Sequence, residues 1–500
     1  MQLNGESSKT ESDSDIYIIS HNEVHIRIES DRGIAQELNE HFSFYIPGYR
    51  FMPAFKSRSW DGKIRLFDLN KLIIYKGLIE EVKKFATSRN YTIEIDNSLD
   101  TANEFSMYEC GQFIQSIKTK LEPRQYQIEG FVHAVRNNRC LLLSPTGSGK
   151  SFIIYLITRF YPQRKLIIVP TISLVHQLEK DFKDYSGQPG FRTLKITGDT
   201  NKDWVYRIDE DIVITTWQSI YKMPRSWFTQ FGVVIGDEAH QYKAKSLTSI
   251  LEKMPTCKFR FGFTGTLDGT ETHQLVLEGL FGKVKSLVKT KELMDINQLA
   301  KLQIKILLLK YNKQTCKERS GLKYSDEMGF IIGHQKRNEF IKNLALSLEG
   351  NSLILFQYVE KHGKILYDLI KNTADKRRKI FFVFGGTDGE ARESVREITE
   401  KETDAIIIAS YGTFSTGINI RALHNIILAS PSKSKIRNLQ SIGRGLRTNE
   451  NKDICTLFDI ADDLQHGKKV NFTLKHLFER VKIYNQEKFD YKMYKINLEK

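Results

Sequence analysis

Runs of consecutive apolar residues recur along this chain of 500 residues, separated by segments with helical spacing. Such runs are typical of parallel strands that are buried on both faces of a sheet. Between residues 121 and 300 they read CLLLS, KLIIVP, DIVITT, VVIGD and FRFGFTGT, and the pattern restarts afterwards with NSLILFQ, KIFFVFG, AIIIASYG and HNIILAS. Two successive units of alternating strands and helices predict two parallel-sheet domains with a cleft between them.

The two ends of the chain follow other patterns. Near the N-terminus, DIYIIS and VHIRIE predict strands, RGIAQELNEHF and LIEEVKKFATSRN predict helices, and DGKIRLFD predicts a strand entered through an Asp-Gly turn. These elements together indicate a small α/β module. Near the C-terminus, QHGKKVNFTLKHLFERVKIYNQEKFDYKMY predicts a basic helical extension rich in tyrosine and phenylalanine.

Composition and charge narrow the class of protein. Apolar residues make up 40% of the chain, and no apolar run approaches the length that a membrane span needs. The N-terminal MQLNGESSKTESDSD is polar and acidic, which predicts a disordered tail and not a signal peptide. Five scattered cysteines argue against a disulfide framework and a zinc site. A net charge of +15 favours a polyanionic partner, with a merely lysine-rich surface as the alternative.

The segment LLLSPTGSGKS (141–151) places a glycine-rich turn between a predicted strand and a predicted apolar helix. Gly147 and Gly149 let backbone N–H groups approach a phosphate, and the helix presents its N-terminus to the same group. Lys150 is expected to contact the β- and γ-phosphates of ATP, and Ser151 to coordinate Mg²⁺. A chance glycine loop is the alternative. The nucleotide-binding residues predicted in this loop are Thr146, Gly147, Ser148, Gly149, Lys150 and Ser151.

The segment VVIGDEAH (233–240) ends a predicted buried strand in two carboxylates. Asp237 is expected to hold Mg²⁺ through water, at the site where Ser151 coordinates it, and Glu238 is expected to orient or deprotonate the attacking water. Alone, such a pair is more often a solvated strand end, but here it follows a phosphate-binding loop. His240 is expected to couple this site to the next strand, FTGT (263–266), where Thr264 and Thr266 are candidate hydrogen-bond partners.

Four segments, SPTGSGKS, DEAH, TGT and QSIGRGLR, resemble motifs I, II, III and VI of superfamily 2 helicases in their order and spacing. VPTISLVHQL, TTWQSI, LILFQYVEKHGKIL and SYGTFSTGINI resemble motifs Ia, Ic, IV and V, and RQYQ resembles the glutamine motif before the P-loop. GYRFMPAFKSRSWDGKIRLFDLNKL and KVNFTLKHLFERVKIYNQEKFDY are similar to the UvsW helicases of tailed bacteriophages, which extends the resemblance over nearly the whole chain. That family is implied to remodel branched DNA through fork regression, junction migration and R-loop unwinding.

The resemblance implies an α/β fold with two tandem RecA-like parallel-sheet domains, a small N-terminal α/β domain and a C-terminal helical tail. The expected divisions are a disordered acidic tail over 1–14, an N-terminal nucleic-acid-binding domain over 15–115, an ATP-binding domain over 116–295, a second helicase domain over 296–465 and a basic helical extension over 466–500.

The resemblance also implies a catalytic site shared by the two domains. Arg444 and Arg447 of QSIGRGLR are expected to reach the γ-phosphate of an ATP held by Lys150, so that hydrolysis depends on closure of the cleft. Ser441 stands where the commoner form of this motif has an arginine. Surface arginines that cap a helix are the alternative. The implied catalytic residues are Lys150, Asp237, Glu238, His240, Gln440, Arg444 and Arg447, and the further implied nucleotide contacts are Arg124, Gln127, Gly417 and Asn419.

Nucleic acid is expected to cross both domains on the face away from the P-loop. Hydroxyls and backbone amides contact phosphate and sugar, which carry no sequence information, so binding should be structure-selective. Helix caps, and a core role for Trp217, are the alternatives for the individual residues. The implied contacts are Thr171, Thr216 and Trp217 in the first domain and Gly385, Gly386, Ser410, Tyr411 and Thr413 in the second.

In the N-terminal module, YRFMPAFKSRSWDGKIR interleaves basic and aromatic residues, as surfaces that bind nucleic acid do. A hairpin with inward-facing aromatics and merely solvated charges is the alternative. The predicted contacts are Arg50, Lys56, Arg58 and Lys63. The basic C-terminal extension has the same two interpretations.

Two functions remain open at this point. The preferred one is an ATP-driven motor that separates or exchanges strands of forked or branched DNA, with RNA–DNA hybrids as further substrates. The alternative is an ATP-switched nucleic-acid clamp or annealing factor. A P-loop transporter is disfavoured because its signature loop is absent from the sequence. The expected partners are single-strand-binding or recombination proteins, and no membrane association is expected. The expected location is the cytoplasm of an infected bacterial host.

Overall fold

A computed structural model describes residues 14–46, 48–99, 102–187, 192–198, 200, 208–241, 244–267, 270–413, 420, 422–430, 443, 446 and 454–498. The acidic segment predicted to be a disordered tail lies almost entirely outside this set. The described residues divide into two compact units, one within Met1–Leu143 and Ser151–Leu287 and the other within Ser144–Lys150 and Val288–Lys500. Among the described helices, none has the length and apolar character needed to cross a membrane.

The N-terminal module is a five-stranded sheet in the order β5-β6-β2-β1-β7, with a separate hairpin of β3 and β4. Its elements are β1 (Ile16–Ser20), β2 (His25–Ser30), α1 (Arg32–His41), β3 (Ser43–Tyr45), α2 (Pro53–Lys56), β4 (Lys63–Arg65), β5 (Phe67–Asp68), β6 (Ile73–Tyr75), α3 (Ile79–Arg89) and β7 (Ile93–Ile95). The single strand predicted for DGKIRLFD is wrong, because β4 pairs with β3 whereas β5 pairs with β6. Leu66 and Phe67 are both buried, which breaks the alternation of one continuous strand.

An ion pair and close backbone packing fix this module to the first parallel sheet. The Glu23 carboxylate accepts from Lys76 Nζ at 2.9 Å and from Arg139 Nη2 at 3.0 Å. Burial lowers the pKa of Arg139 to about 10, so its positive charge is retained at neutral pH. An added Cβ at Gly77 would lie 2.0 Å from the Glu278 carbonyl oxygen, which leaves room only for glycine. The module and the first sheet therefore form one body.

The first parallel sheet has seven strands in the order β10-β11-β9-β12-β13-β8-β14. Its strands are β8 (Arg139–Leu143), β9 (Lys165–Val169), β10 (Leu194–Ile196), β11 (Ile212–Thr216), β12 (Val233–Gly236), β13 (Phe259–Thr264) and β14 (Val284–Ser286). Its helices are α4 (Met107–Ser116), α5 (Gln125–Asn137), α6 (Lys150–Phe160), α7 (Ile172–Tyr185), α8 (Trp217–Ile220), α9 (Arg225–Phe228), α10 (Ala244–Leu251) and α11 (Glu271–Phe281). The five predicted strands are confirmed, and the sequence patterns missed only the short edge strands β10 and β14.

The second parallel sheet has seven strands in the order β17-β18-β16-β19-β20-β15-β21. Its strands are β15 (Lys301–Lys310), β16 (Ser352–Phe356), β17 (Ile380–Val383), β18 (Ile406–Ser410), β19 (Asn425–Leu428), β20 (Ile454–Asp463) and β21 (Tyr491–Asn497). Its helices are α12 (Thr290–Asp295), α13 (Lys313–Glu318), α14 (Tyr324–Gly333), α15 (Gln335–Ser347), α16 (Lys364–Thr373), α17 (Gly389–Lys401) and α18 (Phe472–Gln486). These two sheets confirm the tandem RecA-like architecture.

The C-terminal extension is only partly helical. Helix α18 confirms the predicted helix, but the last described residues form strand β21, which pairs in parallel with β15 at the edge of the second sheet. The first five residues of β21 are exposed at the sheet edge, so its sequence YKMYKIN has no need of a continuous apolar run and lacks one. The pattern used to find buried strands could not detect it.

Candidate nucleotide and nucleic-acid sites

The P-loop connects the end of β8 to the start of α6. Gly147 and Gly149 have φ values of +86° and +77°, in the left-handed region that glycine adopts without strain. The Ser148 hydroxyl lies 2.6 Å from the Ser144 hydroxyl and donates to the Pro145 carbonyl at 2.7 Å, which closes the turn. Lys150 Nζ donates to the Ser144 carbonyl at 3.3 Å. The ammonium group therefore lies over the loop in which a phosphate would bind.

The carboxylates of Asp237 and Glu238 follow β12, and the P-loop follows β8. Both strands pair in parallel with β13, so the two segments leave the same edge of the sheet. The Asp237 N–H donates to the Ile168 carbonyl at 3.0 Å, and the Asp237 carboxylate accepts from the Glu238 N–H at 2.8 Å. Glu238 has φ of +49°, an uncommon backbone conformation for this residue type. Strained backbone of this kind occurs often at active sites.

His240 connects the carboxylates to β13, as the sequence predicts. Its Nδ1 lies 2.6 Å from the Thr264 hydroxyl oxygen and 3.4 Å from Glu238 Oε2. The Thr264 hydroxyl donates its one proton to the Thr266 carbonyl at 2.7 Å, so Nδ1 of the buried His240 carries the proton and donates to Thr264. These hydrogen bonds tie His240, which lies beside Glu238, to the end of the neighbouring strand.

The predicted magnesium ligands are a hydroxyl and a carboxylate. Ser151 Oγ lies 2.7 Å from the Tyr185 hydroxyl, and either oxygen can be the donor, so rotation of the hydroxyl leaves a lone pair for a metal. Mg²⁺ in nucleotide sites prefers such oxygen ligands and completes its octahedron with phosphates and water. Among the described residues, no group of three or more His, Cys, Asp and Glu side chains is arranged to bind a metal by itself. Ser151 and Asp237 thus fit a metal that arrives with a nucleotide.

The glutamine motif lies at the start of α5. The Gln127 side-chain oxygen accepts from the Arg124 N–H at 2.9 Å and caps the helix, and the side chain is buried. Arg124 Nη1 donates to the Tyr126 hydroxyl at 2.9 Å. The contact of Gln127 with adenine stays a prediction.

Gly417, Asn419, Gln440, Arg444 and Arg447 lie outside the described residues. Their nearest described neighbours, Gly443 and Leu446, belong to the same unit as the P-loop. An added Cβ at Gly443 would lie 3.0 Å from Thr146 Cβ, and the Leu446 carbonyl accepts from the Ala300 N–H at 2.7 Å. Gly443, which precedes the predicted catalytic Arg444, is therefore packed against the P-loop.

The predicted nucleic-acid contacts of the first domain follow β9 and β11. Thr171 caps α7 and accepts from the Leu174 N–H, whereas the buried Thr216 lies 2.9 Å from the Ser219 hydroxyl. Trp217 is half-buried against the core. The placement of these residues on the face away from the P-loop stays a prediction. All strands of the sheet run parallel, so these residues and the P-loop leave the same carboxyl edge, and β12 and β13 separate them along it.

In the second domain, the predicted contacts divide into exposed and buried residues. Gly385 and Gly386 are exposed after β17. Ser410 and Thr413 bond to each other through their hydroxyls at 2.8 Å. Tyr411 is only 3% exposed, and its hydroxyl donates to the Ser430 carbonyl at 2.9 Å. The surface role predicted for Tyr411 is therefore wrong, because the side chain belongs to the core beneath this edge.

Sequence patterns missed two buried ion pairs near Tyr411. Arg337 Nε donates to Asp462 at 2.7 Å, and Arg480 Nε donates to Asp459 at 2.9 Å. All four side chains are at most 1% exposed. The signal was present in β20, whose sequence ICTLFDIADD places carboxylates inside an apolar run. Losing one partner of such a pair typically costs about 3–5 kcal/mol of folding free energy.

The loop between β3 and β4 carries the predicted basic contacts of the N-terminal module. Arg50, Lys56 and Arg58 are exposed, and Lys63 Nζ lies 5.1 Å from the Tyr45 ring centroid. Phe51 is 81% exposed and Tyr45 is 54% exposed, whereas a hairpin with inward-facing aromatics would bury them. Within the described part of the chain, none of the four cations forms an ion pair with a carboxylate. The loop therefore presents free positive charge beside exposed rings.

Two family matches cover the N-terminal module and the first sheet. Residues 15–96 match the family described as DNA helicase UvsW, N-terminal, and residues 117–269 match the family described as type III restriction enzyme, res subunit. Residues 97–116 lie between the two matches.

Relatives match over a longer range. The chain is 36% identical to the ATP-dependent DNA helicase uvsW of Enterobacteria phage T4, over 97% of this chain and 100% of that protein. It is 25% identical to the DNA 3'-5' translocase XPB2 of Sulfurisphaera tokodaii, over 66% of this chain and 80% of that protein. The crystal structure of T4 UvsW matches with a TM-score of 0.52 and 34% identity, over 97% of this chain and 100% of that one.

Paired RecA-like sheets, a P-loop and a DEAH strand end define the class, which is the superfamily 2 helicases. The full-length match at 36% identity then shows the family. The chain belongs to the UvsW family of ATP-dependent helicases.

Proposed function

We propose that this chain is an ATP-driven DNA motor that unwinds or branch-migrates forks, four-way junctions and R-loops during recombination, repair and replication. One observation carries the proposal: the N-terminal module, with its exposed basic and aromatic loop, is fixed by buried contacts to the sheet that bears the P-loop. A surface suited to nucleic acid is thereby joined rigidly to the ATP-binding domain. The proposed location is the cytoplasm of an infected bacterial host.

In the proposed reaction, Lys150 and the P-loop amides bind the phosphates of ATP. Glu238, whose backbone N–H donates to the Asp237 carboxylate and whose side chain lies 3.4 Å from His240, orients and deprotonates the attacking water. Arg444 and Arg447 place positive charge where the γ-phosphoryl group develops negative charge. Mg²⁺, when bound by Ser151, Asp237 and the nucleotide, supplies further neutralisation of the phosphates.

The proposed nucleic-acid path follows the carboxyl edges of the two sheets. The edge of the first sheet includes Thr171, Thr216 and Trp217. The edge of the second sheet includes Gly385, Gly386, Ser410 and Thr413. Hydroxyls and backbone amides at strand ends suit phosphate and sugar contacts, so the proposed selectivity is for structure and not for sequence. Single-strand-binding and recombination proteins are proposed partners in such reactions.

Hydrolysis by the wild-type chain should be slow alone and rise at least tenfold on adding single-stranded or branched DNA. A strand that contacts both domains favours the closed state in which the catalytic groups meet. Steady-state ATPase rates with and without each DNA give the comparison. A rate that stays the same at saturating DNA contradicts the two-domain motor.

Branch recognition is proposed for the loop between β3 and β4. The proposed contacts at the sheet edges bind mainly the backbone of one nucleic-acid strand. By themselves they cannot distinguish a fork from a single strand. The loop adds four unpaired cations and the exposed rings of Tyr45 and Phe51, a combination suited to phosphate binding and base stacking. Because the Glu23–Arg139 ion pair and the packing of Gly77 on Glu278 anchor the module, a branch held there keeps a fixed position relative to the first sheet.

Replacing Arg50, Lys56, Arg58 and Lys63 by alanine should weaken fork binding and flatten its salt dependence. Each lost duplex phosphate contact removes about 0.9 from the slope of log affinity against log salt, so a decrease of about two to three is expected. Fluorescence anisotropy with a labelled fork at several salt concentrations measures both quantities. ATPase activity without DNA should be unchanged, because none of these residues lies in the nucleotide site.

A matched control removes four other exposed cations of the same module. Lys71, Lys83, Lys84 and Arg89 each pair with a carboxylate, so their charge is already compensated. The control variant should keep the wild-type affinity and salt slope. If the loop variant binds forks like this control, the loop is a structural hairpin and the branch is recognised elsewhere.

A further inference from the structure

A second basic and aromatic surface lies on the second unit, outside the helicase motifs. It forms where the loop before α14 meets the loop before α18, and we call it the lysine–aromatic surface. Its members are Lys323, Tyr324, Lys468, Lys469, Phe472 and Lys475. The Tyr324 ring centroid lies 5.8 Å from that of Phe472 in an edge-on arrangement, and Lys475 Nζ lies 5.5 Å from the Phe472 centroid. Segments more than one hundred residues apart in sequence thus form one surface.

A buried carboxylate holds the two rings in place. Glu327, one turn after Tyr324, is 2% exposed. Its oxygens accept from the Phe472 N–H at 2.9 Å, from the Thr473 N–H at 2.8 Å and from the Thr473 hydroxyl at 2.9 Å. These bonds cap α18 and fix its first turn to α14. The relative position of Tyr324 and Phe472 is therefore set before any ligand arrives.

The charge of this surface is not compensated. In the described chain, none of its four lysines forms an ion pair with a carboxylate, whereas Lys482 on the same helix pairs with Glu479 at 2.8 Å. Phe472 remains 39% exposed and Tyr324 36% exposed. Beside Phe472, a cleft of about 420 Å³ is lined by Phe472, Lys475, His476 and Glu479.

The surface lies at the carboxyl edge of the second sheet. The Asn471 side chain donates to the Asp462 carbonyl at 3.0 Å, which places the start of α18 at the end of β20. The loops with Gly385 and Ser410 leave the same edge from β17 and β18. Three strand spacings separate β18 from β20, a distance of roughly 14 Å. A strand held at the motif loops needs only a few nucleotides to reach the lysines.

We infer that the lysine–aromatic surface binds single-stranded nucleic acid next to the motif loops. The lysines neutralise phosphates, and a base stacks on the exposed face of one of the two aromatic rings, since Phe472 and Tyr324 lie edge-on to each other. Surfaces that bind single strands without sequence preference combine the same two features. This inference rests on the proposed function, since it extends the path of a strand already engaged by the second domain. It assigns a binding role to the C-terminal extension.

The test compares binding of a short oligothymidylate with binding of one twice as long. Tyr324→Ala with Phe472→Ala should weaken binding of the longer strand about tenfold and leave the shorter one unchanged, because only the longer strand reaches the surface. Lys468→Gln, Lys469→Gln and Lys475→Gln together should lower the salt slope for the longer strand by about two, or about 0.7 per phosphate contact. ATPase activity without DNA should stay at the wild-type rate.

Matched controls are available on α18. Phe478 is 48% exposed on another face of the helix, so Phe478→Ala removes an exposed ring outside the surface, and Lys482→Gln removes a paired lysine. If the aromatic and lysine variants both bind the longer strand like these controls, the inference is overturned. Should the aromatic variant fail to fold, the exposed lysine variant decides alone. If DNA does not stimulate the ATPase activity of the wild-type chain, the proposed motor is refuted instead.

Discussion

Glu238→Gln is expected to lower the turnover number for ATP about a thousandfold while ATP affinity stays within a fewfold of the wild type. The amide keeps the shape of the side chain but cannot accept a proton from the attacking water, and loss of a general base typically costs 10²–10⁴ in rate. The Glu238 N–H donates to the Asp237 carboxylate at 2.8 Å, and Glu238 Oε2 lies 3.4 Å from His240 Nδ1. Steady-state ATPase assays at saturating DNA, with calorimetric titration of ATP, measure the two quantities.

Lys150→Ala is the matched comparison for that variant. It removes the charge predicted to contact the β- and γ-phosphates, so ATP affinity and hydrolysis should both fall. The two variants thereby separate nucleotide binding from chemistry. If Glu238→Gln hydrolyses ATP at the wild-type rate, the assignment of Glu238 as the residue that activates water is wrong.

Arg444→Ala and Arg447→Ala should each strongly lower DNA-stimulated hydrolysis. Loss of the arginine that contacts the γ-phosphate should lower the rate by about 10³–10⁵, the contribution typical of arginine fingers. The packing of Gly443 against Thr146 supports this placement. ATP affinity without DNA should change little, because the arginines act in the closed state. Single-turnover hydrolysis at saturating DNA identifies which of the two contributes more.

Arg377→Ala is a suitable control for the arginine variants. Arg377 is 93% exposed in the second unit, so its loss should leave hydrolysis unchanged. Arg444→Lys should recover little, since an ammonium group cannot reproduce the planar fork of the guanidinium. Wild-type rates in both alanine variants would mean that the pair caps a helix and takes no part in catalysis.

The predicted strands of both parallel sheets, such as VVIGD and AIIIASYG, were recognisable because burial on two faces demands apolar runs. Strands β15 and β20 lie inside the second sheet but were not predicted, because lysines or aspartates stand among their apolar residues. Edge strands also escape this rule. Strand β21 is exposed along most of its length, so its sequence carries alternating lysine and tyrosine, which also suits a helix or a loop. Its place beside β15 depends on contacts with residues almost two hundred positions upstream.

The candidate site shows the same division between local and distant information. The P-loop and the DEAH segment are local, since each needs only a strand end and a few residues in fixed order. Tyr411 shows the limit of this reasoning. Its motif position predicts a surface contact, but the segment after β19, two strands away across β16, brings Ser430 within reach of its hydroxyl, and the ring is buried. Burial at a strand end is decided by tertiary packing and not by the motif.

The most direct test of the central claim follows strand separation on a labelled fork and branch migration of a four-way junction. The wild-type chain should convert both substrates with ATP and neither with a non-hydrolysable analogue, and Glu238→Gln should bind both without converting them. Equal conversion without hydrolysis, or by Glu238→Gln, would contradict the motor and favour an ATP-switched clamp or annealing factor.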